Sequence, residues 1–145
     1  MAQLFSASFL LVAPFWLLMV FLPGWRWTER IVRSVWIAAP AALLYTVLVL
    51  PQFGSVFGAV AQPDLPGVMA LLGTPAGATI GWVHFLAFDL FVGRWIYLDS
   101  RKRGLSPWLL GPILIFTLLL APMGFLLYLL VRNLRPLPQE PVRSL

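Results

Sequence analysis

The chain has no cysteine, which excludes disulfides, thiolate metal sites and cysteine nucleophiles and leaves the redox compartment open. Charge is nearly as scarce: 10% of the 145 residues are charged, where a soluble domain carries roughly 25%, so a soluble globular fold is set aside. No phosphate loop, dinucleotide fingerprint, serine triad or CxxC pair occurs, and no cofactor is implied. Lysine and arginine are absent before Arg26, so the first apolar run lacks the basic lead of a secretory signal. Were it cleaved nonetheless, three spans would remain.

What is present is apolar. Hydrophobic residues make up 61% of the chain and come in runs of about 20, the length that crosses a bilayer, rather than in alternation. The expected fold is an all-α integral membrane protein, a four transmembrane helix bundle forming one domain over residues 1–131, with spans at 4–22, 35–51, 76–97 and 107–131. A proline-rich, flexible tail is expected over 132–145. The net charge of +5 does not point to nucleic acid. Arg26, Arg30 and Arg33, then Arg101, Lys102 and Arg103, then Arg132, Arg135 and Arg143 sit beside spans, where they anchor topology and face the headgroups of membrane lipids.

The basic connectors are therefore expected on the cytoplasmic side, and the segment 52–75, with no lysine or arginine, on the other. Four crossings would then put Arg132, Arg135 and Arg143 outside, against the positive-inside rule. Either the rule is broken, or 52–75 or the bend at Pro122 hides an extra half-crossing.

The third span is the costly one, because it carries His84, Asp89 and Arg94 in an apolar run with no interior proline. A charged residue at mid-bilayer costs about 2.5–3.5 kcal/mol on insertion scales, so these groups need partners. Gly77, Gly81 and His84 fall at i, i+4 and i+7, a small-residue stripe that turns the imidazole toward another helix. Asp89 lies on a different face with Ala78, Trp82, Phe85 and Gly93. Five residues separate it from both His84 and Arg94, a poor spacing for pairing along one helix, so its partner comes from another span or from substrate. Tyr45 on the second span is one candidate. Arg94 is expected to snorkel toward the basic end, and Asp99 with Arg101, Lys102 and Arg103 reads as a solvated membrane-edge cluster. No metal site is expected, since the spacing of His84, Asp89 and Asp99 rotates them apart.

The motif WVHFLAFDLF (Trp82 to Phe91), Arg94, Tyr97 and Asp99, with FWLLMVFLPGW earlier and LLLAPMGFLLYLL later, resembles the small multi-pass membrane proteins of the neoxanthin-synthase-like, abscisic-acid-deficient type. The resemblance implies a place in carotenoid (xanthophyll) metabolism. The reaction it implies is the redox-neutral isomerisation of an epoxycarotenoid, violaxanthin, to allenic neoxanthin. It carries no settled catalytic residues. The start of the chain, neither serine-rich nor arginine-rich, does not read as a plastid transit peptide, so a bacterial relative in the cell membrane is expected.

Such a reaction needs an acid to protonate the oxirane oxygen, a base to remove a proton from the polyene, and a dry pocket. Asp89 is the candidate acid, since a carboxyl away from water keeps its proton more readily, and His84 the candidate base. Trp82, Phe85 and Phe88 offer faces to a cation, and Arg94 and Tyr45 complete the candidate substrate-binding set. Three readings compete: structural hydrogen bonding by His84, Asp89 and Arg94 between helices, proton transport through Asp89 and His84, and a non-enzymatic accessory that positions pigment or lipid for other pigment-biosynthesis enzymes.

Overall fold

The positions of proline decide where the helices break. In the computed structural model, which describes residues 1–134, the described residues contain helices and no strand. Helix α1 (Ala2–Ser8) passes through a 3₁₀ turn, Phe9–Leu11, into α2 (Ala13–Phe21). Pro14 has no N–H to give the preceding turn, so the ladder tightens there, with Val12 N–H bonding the Phe9 carbonyl at 3.1 Å. The amphipathic α3 (Arg26–Arg33) follows, burying Thr28 and Val32. Another 3₁₀ turn, capped by Ser34 Oγ on the Trp36 N–H, leads into α4 (Ala39–Val49), which has Pro40 in its first turn. A further 3₁₀ turn at Pro51 joins it to α5 (Phe53–Ala61).

Beyond α5, Asp64 Oδ1 accepts from the Gly67 N–H at 2.6 Å and starts α6 (Leu65–Leu72). Thr74 Oγ1 does the same for α7, accepting from the Gly77 N–H at 2.9 Å, with Pro75 as the first helical residue. With no proline after that position, α7 runs unbroken from Pro75 to Lys102, 28 residues.

Three helical stretches are long and apolar enough to cross a membrane: Ala2–Phe21, Val35–Ala61 and Pro75–Lys102. The second exceeds its expected end at residue 51 by ten residues, because Pro51 bends the chain through a 3₁₀ turn rather than ending the helix. The expected fourth span, 107–131, differs more. It is two 13-residue helices, α8 (Pro107–Leu119) and α9 (Ala121–Asn133), broken at Leu120 (φ −143°, ψ 69°). At 1.5 Å per residue each is about 20 Å long, short of a hydrocarbon core of roughly 30 Å. The chain also doubles back. A Cβ on Gly124 would sit 2.5 Å from Thr117 Cα and 2.6 Å from its nitrogen, whereas seven residues along a straight helix advance about 10 Å. The pair is a helical hairpin closed by glycine. The expected tail, from residue 132, starts inside α9, and its residues from 135 onward lie outside those described.

The chain clusters into two compact units: Met1–Phe15 with Ser34–Phe91, and Trp16–Arg33 with the described residues from Val92. The first packs Leu48, Val49, Val56, Ile80 and Val83 into a core, with Leu44, Tyr45 and Leu71 against it. In the second, Met19, Val32, Ile96, Leu114 and Tyr128 are fully buried, and the Trp16 indole lies on the Gly93 backbone, where a Cβ would fall 2.9 Å from Cζ3 and 3.0 Å from Cζ2. Glycine at 93 is what admits that ring.

Candidate functional site

Helix α7 carries six of the candidate residues, and its uninterrupted geometry fixes their directions. His84 and Asp89 stand about 7 Å apart along the axis but about 140° apart around it, so the helix aims them at different surroundings. The imidazole is exposed. It is flanked by aromatic rings: Tyr45 at 5.5 Å, Phe88 at 4.8 Å and Phe85 at 6.2 Å between centroids. The glycine stripe explains this partial cover. Gly77 lies on the Leu71 carbonyl and Gly81 next to Leu72, where the chain turns from α6 into α7, and one turn further on the ring of Tyr45, from α4, reaches His84. The expectation that His84 is turned wholly toward another helix is thus met on one side by Tyr45 and open on the other.

Asp89 is half-buried, and among the described residues it has no hydrogen-bond or ion-pair partner. Tyr45, offered as one, is placed against His84 instead, and its neighbour Thr46 satisfies its hydroxyl within its own helix, on the Ala42 carbonyl at 2.9 Å. Trp82 stacks on Phe5 at 5.2 Å, while Phe85 and Phe88 are exposed. The structure therefore gathers Tyr45, His84, Phe85 and Phe88 and leaves Asp89 apart from them.

Arg94 belongs to other chemistry. Its guanidinium donates to the Arg33 carbonyl, the last residue of α3, whose helix-end carbonyls lack partners within the helix. One turn on, Tyr97 is fully buried and its hydroxyl donates to the Pro23 carbonyl at 2.8 Å. These two bonds hold α3 and the turn before it against α7.

The arrangement that sequence reasoning missed centres on Asp99. Its Oδ2 accepts from Tyr128 OH at 2.7 Å, Arg103 Nε at 2.7 Å and Arg132 Nε at 2.8 Å. The Asp99 side chain is 14% exposed and that of Arg103 6%, so of the solvated edge cluster expected here Arg101 and Lys102 are exposed, while Asp99 and Arg103 are drawn into an enclosed hub. Trp95 roofs it, edge-on to Tyr128 at 5.6 Å and under the Arg132 guanidinium at 5.6 Å. A signal was available: Asp99 and Arg103 are four residues apart, as are Tyr128 and Arg132, so each pair presents one helical face. What the sequence concealed was the hairpin that brings the pairs together. No group of three or more potential metal ligands occurs among the described residues.

The family model of ABA DEFICIENT 4-like proteins matches residues 3–128, which takes in α1 through most of α9. The chain belongs to the ABA DEFICIENT 4-like family. The match covers the stretch from Trp82 to Asp99, so both carboxylates of α7 are family territory, whereas Arg132 lies beyond it. No curated protein and no solved structure matches the chain.

Proposed function

We propose that this chain is a membrane-embedded protein of carotenoid (xanthophyll) metabolism that isomerises an epoxycarotenoid without redox change. Family membership and three helices of membrane-crossing length support the setting. The observation that carries the chemistry is Asp89, a half-buried carboxyl within an apolar helix that no described residue pairs. A group so placed is costly in hydrocarbon, and a bound oxirane oxygen is a partner that would offset the cost.

In this reading Asp89 protonates the oxirane oxygen and the C–O bond opens to a carbocation, with Phe85 and Phe88 offering ring faces to the charge. Loss of a proton from the adjoining polyene carbon then gives the allenic alcohol. The angular separation of His84 from Asp89 argues for returning that proton to the Asp89 carboxylate, so that one group serves as acid and then base. His84 and Tyr45 are assigned to contact with the pigment.

A second reading, a non-enzymatic accessory that holds pigment or lipid for partner enzymes, is favoured by the exposure of His84, Phe85 and Phe88 on the outer surface of α7. Purified protein supplied with a 5,6-epoxycarotenoid in detergent separates the two. Allenic product lost in Asp89→Asn and kept in His84→Gln supports isomerisation with a single acid–base group. Bound pigment without turnover in the unmodified protein supports the accessory.

A further inference from the structure

Helices α3 and α7 frame a groove of about 400 Å³ lined by Glu29, Arg33, Arg94, Leu98, Arg101 and Lys102. On α7, positions 94, 98, 101 and 102 recur at i, i+4, i+7 and i+8 and so share one face. On α3, Glu29 and Arg33 stand one turn apart and meet at 2.6 Å. The lining carries four cations against one carboxylate, a net charge of +3. Glu29, the one carboxylate of the lining, is engaged by Arg33 through Oε1.

The groove is built as well as charged. The Arg94 bond to the Arg33 carbonyl fixes one wall to the other, and the buried Tyr97 hydroxyl on the Pro23 carbonyl fixes the approach to α3. The remaining arginines of α3 are turned elsewhere: Arg26 and Arg30 lie over the Trp27 ring at 5.5 and 5.2 Å. Like charges gathered in a concave site repel one another until an anion enters, and guanidinium groups match tetrahedral phosphate oxygens through paired N–H bonds. Leu98 adds an apolar patch to the lining, and the exposed Trp25 and Trp27 nearby in the chain are residues suited to a membrane–water boundary.

We propose that this groove binds a phosphate group, carried by an anionic membrane lipid or present as free phosphate. The proposal does not rest on the carotenoid reading: Arg94, a candidate for substrate binding by sequence, is engaged on the Arg33 carbonyl, and the other lining residues are outside the candidate pigment set.

The test uses the full chain in phosphatidylcholine nanodiscs, with added phosphatidylglycerol in one arm and inorganic phosphate in the other, read by thermal unfolding. Arg101→Gln with Lys102→Gln empties the groove of two exposed charges. Arg26→Gln with Arg30→Gln removes the same charge outside it. The expected result is stabilisation by added phosphate groups in the unmodified protein and in the Arg26/Arg30 variant, with apparent affinity weakened about tenfold or more in the Arg101/Lys102 variant. Stabilisation by phosphatidylglycerol that inorganic phosphate does not reproduce assigns the site to a lipid headgroup. Stabilisation by inorganic phosphate alone assigns it to the free ion. Equal loss in both double variants, no loss in the Arg101/Lys102 variant, or no response to either phosphate source overturns the proposal.

Discussion

Asp89 and Asp99 stand ten residues apart on the same unbroken helix and live in opposite circumstances. Asp99 has three donors on a single oxygen; Asp89 has none among the described residues. A carboxylate enclosed by two guanidiniums and a phenol is a joint. It ties α7 to α9, and its electrostatic needs are met within the fold. A carboxyl left half-buried without a partner does nothing for the fold that an amide or an apolar side chain would not do as well. The contrast shows which acid to test for stability and which for chemistry, a distinction that charge and depth alone do not make.

The comparison breaks first at the hub. Asp99→Ala takes the carboxylate away from Arg103, whose side chain is 6% exposed, and from Arg132 and Tyr128, and is expected to cost about 3 kcal/mol, near the lower end for a broken buried pair because Arg132 is partly solvated. Thermal or denaturant unfolding in detergent reads it; a loss below about 0.5 kcal/mol, the range of ordinary surface substitutions, returns Asp99 to a solvated edge residue. Next come the close approaches. Gly124→Leu forces a side chain into the Thr117 backbone, and Gly93→Leu into the Trp16 ring; each is expected to cost about 1–3 kcal/mol by overpacking. Backbone is less able to yield than a ring, so the Gly124 variant should unfold more readily.

Tyr128→Phe removes one of the three donors to Asp99 while keeping the ring against Trp95, and should cost about 1 kcal/mol. The smallest effect on stability is expected at Asp89. Asp89→Asn should leave the unfolding midpoint within the scatter of a surface substitution, about 0.5 kcal/mol, while abolishing allenic product. A large stability loss there would show that Asp89 has a structural partner and is a second joint.

Much of the helix plan was legible. The uninterrupted third helix follows from the lack of an interior proline, whereas the second span, expected to end at residue 51, continues through Pro51 to Ala61. The resemblance carried by Trp82 to Asp99 led to the family. The fourth span was misread because its composition is continuously apolar from Pro107 to Val131 and a hydropathy window counts length, not direction. Pro122 reads as a bend, but a bend and a reversal look alike in one dimension.

The reversal bears on Arg132, one of the three arginines that four crossings would place outside. With α8 and α9 folded into a hairpin, Arg132 returns to the end of α7 and shares Asp99 with Arg103.

Composition and spacing by themselves determined that this chain is helical and apolar, and which few polar residues in it are expensive. Those are local properties, set by proline's missing donor, by hydropathy and by the 3.6-residue repeat. Only the tertiary structure decided which expensive residues are satisfied, because satisfaction depends on what distant segments bring within about 3 Å. Residues 99, 103, 128 and 132 became one site when the chain doubled back at Leu120, and residues 84 and 89, five apart in sequence, remained separate because a regular helix turns them away from each other.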